Sequence, residues 1–150
     1  KISKKEILTL LSKAKKNFSN KARICMHKNL NEKIHDMFIV HLKDCYVRPH
    51  KHLKKSECMF IINGEADAII FDDNGKILQK IELGNYSSGK DFFYRINNNT
   101  FHMLLIKSEF FIFHENTEGP FKSDETVYAK WSPKKHDKFF LDSISSHKYT

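Results

Sequence analysis

Two histidines lie two residues apart in the stretch VRPHKHLKKSE, which spans residues 47–57. These histidines, His50 and His52, are followed by the carboxylate of Glu57. Since alternate side chains of a β-strand point to the same face, both imidazoles can reach one point. Imidazole nitrogens and carboxylate oxygens bind divalent first-row metals. The stretch therefore predicts a metal site, although a His-x-His pair in a Lys-rich loop is also typical of a solvated turn.

A further metal ligand is expected from another part of the chain. Of the nine histidines, His102 is the best candidate, because it lies just after a polar turn and at the start of the apolar stretch FHMLLI. His41 lies in a predicted strand with alternating neighbours, where its side chain can point outward. His114 is a weaker candidate for a ligand inside the protein. Such a ligand set accepts Zn, Mn, Fe, Co or Ni, so the predicted cofactor is a divalent ion of unspecified identity.

The first segment of the chain predicts an amphipathic helix. Ser3 and Glu6 form a capping-box pattern at its start. Apolar residues recur at helical spacing and the lysines lie opposite them; the apolar positions are Ile7, Leu10, Leu11, Ala14 and Phe18. We interpret the lysines as a solvated helix face, with binding to an anionic surface as the alternative.

From about residue 22 the hydrophobic period changes to two, which indicates β-strands. Asn74-Gly75 predicts a hairpin between two of these strands. Strands of this length and spacing favour an all-β sandwich or barrel. We predict an N-terminal helix in residues 1–20 that packs on a barrel in residues 21–133, followed by a short C-terminal tail in residues 134–150. The apolar stretches are ARICMH, DMFIVHL, CYVRPHKH, CMFIIN, EADAIIF, KILQKIEL, DFFYRI, TFHMLLIK and FFIFHE.

Composition and charge exclude several classes of function. The chain has 150 residues and a net charge of +8, but residues 1–21 carry seven lysines and one glutamate, which leaves +2 for the rest. This distribution disfavours a nucleic-acid partner. No apolar run approaches the roughly 18–20 residues of a membrane span, and no signal-peptide pattern is visible. The three cysteines form no CxxC pair, which favours reduced thiols and a cytoplasmic location.

The spacing of the candidate ligands resembles the first motif of the cupin superfamily. His50, His52, Glu57 and Gly64 match the motif after its opening glycine, whose place is taken by Asp44. The resemblance implies a cupin-type β-barrel, or jelly roll, with a metal in its interior.

The second cupin motif is matched in part. His102 keeps its place, whereas Asn97 and Asn99 stand where proline and glycine are usual, and Ile106 replaces the closing asparagine. The two asparagines affect the turn before His102 and not the ligand itself. The two motifs together imply a ligand set of His50, His52, Glu57 and His102.

More narrowly, the chain resembles the WbuC family of cupin-fold metalloproteins. The matching stretches cover most of residues 22–133; they are ARICMH (22–27), YVRPHKH (46–52), KSE (55–57), FDDNGKI (71–77), TEGPF (117–121) and AKWSP (129–133). Members of that family are similar to proteins encoded with genes for bacterial O-antigen and other surface-polysaccharide synthesis. The resemblance implies a role in O-antigen or lipopolysaccharide synthesis, with a sugar nucleotide or sugar phosphate as the small-molecule ligand.

Three candidates for binding the phosphate of such a ligand are Arg23, His27 and Arg48. Arginine offers planar paired donors that suit phosphate; surface salt bridges or strand-edge packing are the alternative. Three functions stay open: a metal-dependent sugar or sugar-nucleotide isomerase or epimerase, an iron-dependent dioxygenase, and a non-catalytic cupin that binds a sugar or regulates a partner. A homodimer is the oligomeric state that stays open for this chain.

Overall fold

The computed structural model describes residues 1–147, which form two five-stranded sheets and two helices. Residues 148–150 of the predicted tail lie outside the described residues. The elements in chain order are α1 (Lys4–Lys16), β1 (Lys21–Cys25), β2 (Ile34–Leu42), β3 (His50–His52), β4 (Glu57–Asn63), β5 (Glu65–Phe71), β6 (Ile77–Gly84), β7 (Phe93–Ile96), β8 (Phe101–Ile106), β9 (Phe110–Glu118), β10 (Thr126–Tyr128) and α2 (Lys138–Ser146).

The strands are shared between two sheets that face each other. The strand order is β1-β2-β9-β4-β7 in the first sheet and β10-β3-β8-β5-β6 in the second, and neighbouring strands pair antiparallel. Side chains from both sheets form one buried cluster, for example Ile61 and Phe113 of the first with Ala68 and Leu104 of the second. This arrangement confirms the predicted cupin-type barrel with an N-terminal helix.

Helix α1 covers the outer face of the first sheet. Its Leu10 and Ala14 are buried against Val40 of β2 and Ile112 of β9. The predicted capping box is confirmed, because the hydroxyl of Ser3 accepts a backbone hydrogen bond and the side chain of Glu6 reaches back to the backbone of Ser3. Alternate residues of β2 and β9 therefore face either the helix or the barrel interior.

Helix α2 and the segment before it cover the outer face of the second sheet. Ile144 of α2 is buried in a cluster with Phe71 and Met103. The hydroxyl of Tyr46 donates a hydrogen bond to the carbonyl of Pro133 at 2.8 Å. Both sheets thus have a covered outer face, which explains why β5 is almost entirely buried. Within residues 1–147, no helix combines the length and the apolar character that crossing a membrane requires.

The predicted hairpin connects β5 and β6. The carboxylate of Asp72 accepts hydrogen bonds from the backbone of Asn74 and Lys76 at 2.9 and 2.8 Å. Gly75 has φ +91°, and a Cβ at this position would lie 2.8 Å from the ring of Trp131. The turn therefore requires glycine both for its backbone conformation and for the ring that packs on it.

Removing side-chain volume beneath α1 is expected to destabilise the protein. Leu10 is 1% exposed, so the Leu10→Ala variant should lose about 2–5 kcal/mol of unfolding free energy, because a buried leucine leaves a cavity. Leu8 on the same helix is 55% exposed, and Leu8→Ala should change the value by less than about 0.5 kcal/mol. Urea denaturation of both variants measures the difference. Equal losses would show that α1 is not docked on the sheet.

His41 points into the protein instead of outward. Its ring lies edge-on against Phe113, with 5.4 Å between the ring centroids, and only 8% of the residue is exposed. Nδ1 of His41 is buried without a hydrogen-bond partner. Burial, and then the charge of Lys21, lowers the pKa of His41 to about 3. The imidazole is consequently neutral in the folded protein at ordinary pH.

The buried His41 should make the metal-free protein sensitive to acid. Below the ordinary histidine pKa of about 6.5 the unfolded chain binds a proton at His41, while the folded chain does so only near a pKa of about 3. The unfolding free energy should therefore fall as the pH falls through this window, by up to about 1.4 kcal/mol per pH unit from this group. His41→Leu should flatten the dependence, measured by urea denaturation between pH 4 and 7. The exposed His136 provides the control His136→Leu, and identical slopes for both variants would contradict the assignment.

Candidate metal centre

The candidate ligands meet where the two sheets face each other. Strand β3 carries His50 and His52, and its neighbour β8 places His102 directly opposite His50. Glu57 is the first residue of β4 and comes from the other sheet. Nε2 of His52 lies 2.9 Å from Oε1 of Glu57, and Nε2 of His102 lies 3.6 Å from Oε2. One ligand atom from each of the four residues lies within 4.8 Å of the others.

Hydrogen bonds at Nδ1 orient all three imidazoles. Nδ1 of His50 donates to the carbonyl of Arg48 at 2.8 Å, and Nδ1 of His102 donates to the carbonyl of Thr100 at 2.9 Å. A carbonyl can only accept, so Nδ1 carries a proton in both rings, and Nε2 is the nitrogen that remains for the carboxylate or for a metal. Nδ1 of His52 lies 3.0 Å from the hydroxyl of Thr126. Outer hydrogen bonds of this kind are what histidine ligands of metals make.

The electrostatics of the cluster also suit a cation. Burial, and then the neighbouring His102, lowers the pKa of His50 to about 3, so this imidazole is neutral. Burial alone would raise the pKa of Glu57, but hydrogen bonds from His102 and His52 outweigh it and hold the pKa well below its usual range. Metal ligands must be deprotonated to bind. The donor set therefore fits a divalent metal ion.

Two residues that fall in the cupin motifs have positive φ. Gly64 closes β4 with φ +86°, and a Cβ there would lie 2.1 Å from the carbonyl oxygen of Phe110. Asn99 has φ 55° in the turn before His102, and its N–H donates to the carbonyl of His52 at 2.6 Å. Asparagine adopts this left-handed conformation more readily than other side chains. The missing glycine of the second motif is thus replaced by a residue that supports the same turn.

The three predicted phosphate-binding residues make different contacts in the structure. Arg23 on β1 faces away from α1, with 3.8 Å between its Nη1 and Sδ of Met37. The ring of His27 stacks on His35, with 4.0 Å between the centroids. Arg48 instead donates from Nη2 to the carbonyl of Ala129 at 2.8 Å. The phosphate-binding role of all three stays a prediction.

Arg48 is held by the segment that follows β10. Besides Ala129, its guanidinium binds the hydroxyl of Ser132 at 3.1 Å and lies over the ring of Tyr128, 5.1 Å from the centroid. These contacts anchor the C-terminal segment beside His50. His114, the weaker candidate ligand, lies on the outer face of the first sheet, 3.3 Å from the carboxylate of Asp36.

Two residues near the site were missed by reasoning from the sequence. Lys55 extends along the barrel mouth, with 3.6 Å between its Nζ and Oε1 of Glu57. Glu115 shares the inward face of β9 with Phe113, and burial, reinforced by the charge of Glu57, raises the pKa of its carboxyl to about 8. The alternation of residues in FFIFHE was the signal for Glu115. No sequence signal pointed to Lys55, because the direction of a side chain in a loop cannot be predicted from residue spacing.

Comparison of the sequence with protein families gives one match. A family model described as a domain of unknown function, DUF6016, matches residues 2–83, which is more than half of the chain. The chain belongs to the DUF6016 family. No functionally curated protein matches the sequence.

Solved structures show that this DUF6016 protein has the cupin fold. A Shewanella oneidensis protein, SO0799, superimposes with a TM-score of 0.63 at 7% identity, over 85% of each chain. A variant of Bacillus subtilis oxalate decarboxylase gives 0.55 at 17% identity, over 72% of this chain and 27% of that one. KdgF from a Halomonas species gives 0.53 at 12% identity, over 69% of this chain and 83% of that one. Identities this low establish the fold alone, and the chain spans about a quarter of the oxalate decarboxylase.

Removal of one imidazole should abolish metal binding without unfolding the barrel. His52→Ala deletes a ligand, while the apolar core between the sheets is unchanged. We expect loss of stoichiometric metal by elemental analysis and a folded circular dichroism spectrum. In the wild type, metal affinity should weaken at acidic pH, because protons compete for the ligands.

The control for this variant is His136→Ala, since His136 is exposed and lies after the last strand. It should retain the metal content of the wild type. A His50→Ala/His52→Ala double variant that still carries stoichiometric metal would contradict the assignment.

Proposed function

We propose that this DUF6016 protein is a metal-binding cupin that binds a sugar nucleotide or sugar phosphate in bacterial surface-polysaccharide synthesis. The observation that carries the metal assignment is the convergence of three imidazoles and one carboxylate on one point. Nδ1 of each imidazole already has a hydrogen-bond partner outside the cluster. The pathway is supported by the resemblance of residues 22–133 to the WbuC family, which is an argument from analogy.

The protein residues hold the proposed ion in a fixed arrangement. The hydrogen bonds from Nδ1 of His50 and His102 to backbone carbonyls set the ring orientation before any ion binds. Glu57 supplies the negative charge, and the surrounding barrel core limits access of water. A bound divalent ion would supply a Lewis acid that polarises a carbonyl or hydroxyl oxygen. This chemistry suits an isomerisation or epimerisation of a sugar.

The fold does not distinguish an enzyme from a binding protein. Oxalate decarboxylase and pumpkin seed globulin both superimpose on this chain, the latter with a TM-score of 0.51 at 16% identity. Functions therefore have to be argued from the site. Three histidines and one carboxylate also suit iron, which keeps a dioxygenase as the competing function.

The proposal is tested by calorimetry with a panel of nucleotide sugars and sugar phosphates. The metal-loaded wild type should bind at least one of them, and the His50→Ala variant should lose that binding together with the metal. The control variant His136→Ala should bind like the wild type. Binding of equal strength by the His50→Ala variant would show that the ligand does not bind at the metal centre.

Two further measurements decide between the competing functions. Protein loaded with iron under anaerobic conditions should not consume oxygen when a sugar ligand is added; oxygen uptake would favour the dioxygenase. A thermal shift caused by a sugar that is never converted would favour a non-catalytic sugar-binding cupin.

A further inference from the structure

Lys55 lies unusually close to the candidate metal centre for a lysine. Its side chain is 14% exposed, whereas lysines are mostly exposed in proteins. Its ammonium lies 3.6 Å from Oε1 of Glu57, the oxygen that also lies 2.9 Å from Nε2 of His52. Next to it, the ring of Phe121 lies 5.9 Å from Nζ. Lys55 is thus a partly buried cation adjacent to a ligand of the proposed ion.

The neighbouring lysine shows that partial burial beside Glu57 is specific to Lys55 and is not shared by the rest of the loop. Lys54 is 72% exposed and lies 3.3 Å from the carboxylate of Glu125 on the surface. The two lysines are adjacent in the chain, yet only Lys55 turns towards the barrel. Lys54 therefore provides a matched control for a charge on the same loop that pairs with Glu125 and does not reach Glu57.

Other groups at the barrel mouth feel the charge of Lys55. The pKa of His35 on β2 is lowered, first by burial and then by His27 and Lys55. The raised pKa of Glu115 is partly offset by the charges of Lys55 and Arg23. The ammonium is therefore near enough to influence His35 on β2 and Glu115 on β9, and it lies beside Glu57.

A metal ion would leave this space with an excess of positive charge. In the metal-free protein the carboxylate of Glu57 pairs with Lys55. A divalent ion bound by neutral imidazoles and one carboxylate keeps a net positive charge. Within residues 1–147 the Lys55 ammonium has no ion pair other than the one with Glu57, so its charge adds to that of the ion. Partly buried charges are costly unless they are paired. An anionic group on the ligand would restore the balance.

We infer that Lys55 is the anion-binding residue of this centre and that its ammonium binds a carboxylate or phosphate group of the ligand beside the metal. This inference rests on the proposed function, because it requires the metal to occupy the four-residue site. It adds the requirement that the ligand is an anion whose charged group lies next to the ion. Anion binding should consequently depend on the metal.

The test compares the wild type with the variants Lys55→Met and Lys54→Met. Each protein is titrated first with Co²⁺ alone, followed by calorimetry and visible absorption, and then with inorganic phosphate or acetate. The two anions distinguish a phosphate site from a carboxylate site. Lys55→Met should bind Co²⁺ as tightly as the wild type or more tightly, because a competing cation is removed. Its affinity for the preferred anion should fall about ten-fold or more, while Lys54→Met should behave like the wild type.

The outcomes separate this inference from the function on which it rests. If the wild type binds no Co²⁺, the metal assignment and the inference both fail. If Co²⁺ binds but the wild type binds neither anion, or Lys55→Met binds the anion as tightly as the wild type, the inference alone is overturned. Equal losses in Lys54→Met and Lys55→Met would attribute the effect to the charge of the loop and overturn it as well.

Discussion

The candidate site depends on one contact between the two sheets, the approach of the Glu57 carboxylate to the imidazoles of His52 and His102. This contact places a negative charge in a barrel whose interior is otherwise largely apolar. Buried carboxylates are costly unless they are paired, and here hydrogen bonds from the two imidazoles hold the pKa of Glu57 well below its usual range, against the effect of burial. The charge is stable only while both sheets hold their register.

That register is secured from outside the barrel. Helix α1 packs Leu10 and Ala14 on the first sheet, and α2 packs Ile144 on the second. Arg48 connects the residues before β3 to the segment after β10 through Ala129. The helix contacts lie on the outer faces of the sheets, whereas the contacts of Arg48 lie two residues before His50 and help to position β3. The stability of the barrel and the geometry of the site are therefore linked by packing rather than by the ligands themselves.

The two sheets contribute different charged groups to the candidate metal centre. The imidazoles come from the second sheet, and the groups of the first sheet that face the same space include Glu57, Glu115 and Arg23. Burial, reinforced by the charge of Glu57, raises the pKa of Glu115 to about 8, which weakens the compensation of Lys55 by this carboxyl. With a divalent ion in the four-residue site, this distribution of charge would favour the anionic ligand that we propose. The proposed sugar phosphate meets that requirement.

The sequence alone determined the features that depend on neighbouring residues. The capping box at Ser3, the turn at Gly75 and the shared face of His50 and His52 follow from local spacing. The all-β class follows from the period of two, and the cupin barrel was implied by the resemblance of the motifs. Only the tertiary structure decided which strands are adjacent, because β3 pairs with β8 and β10 across long stretches of chain. For the same reason it alone decided that His41 points inward and that Lys55, unlike Lys54, reaches Glu57. Side-chain burial depends on contacts between residues far apart in the sequence, which spacing cannot specify.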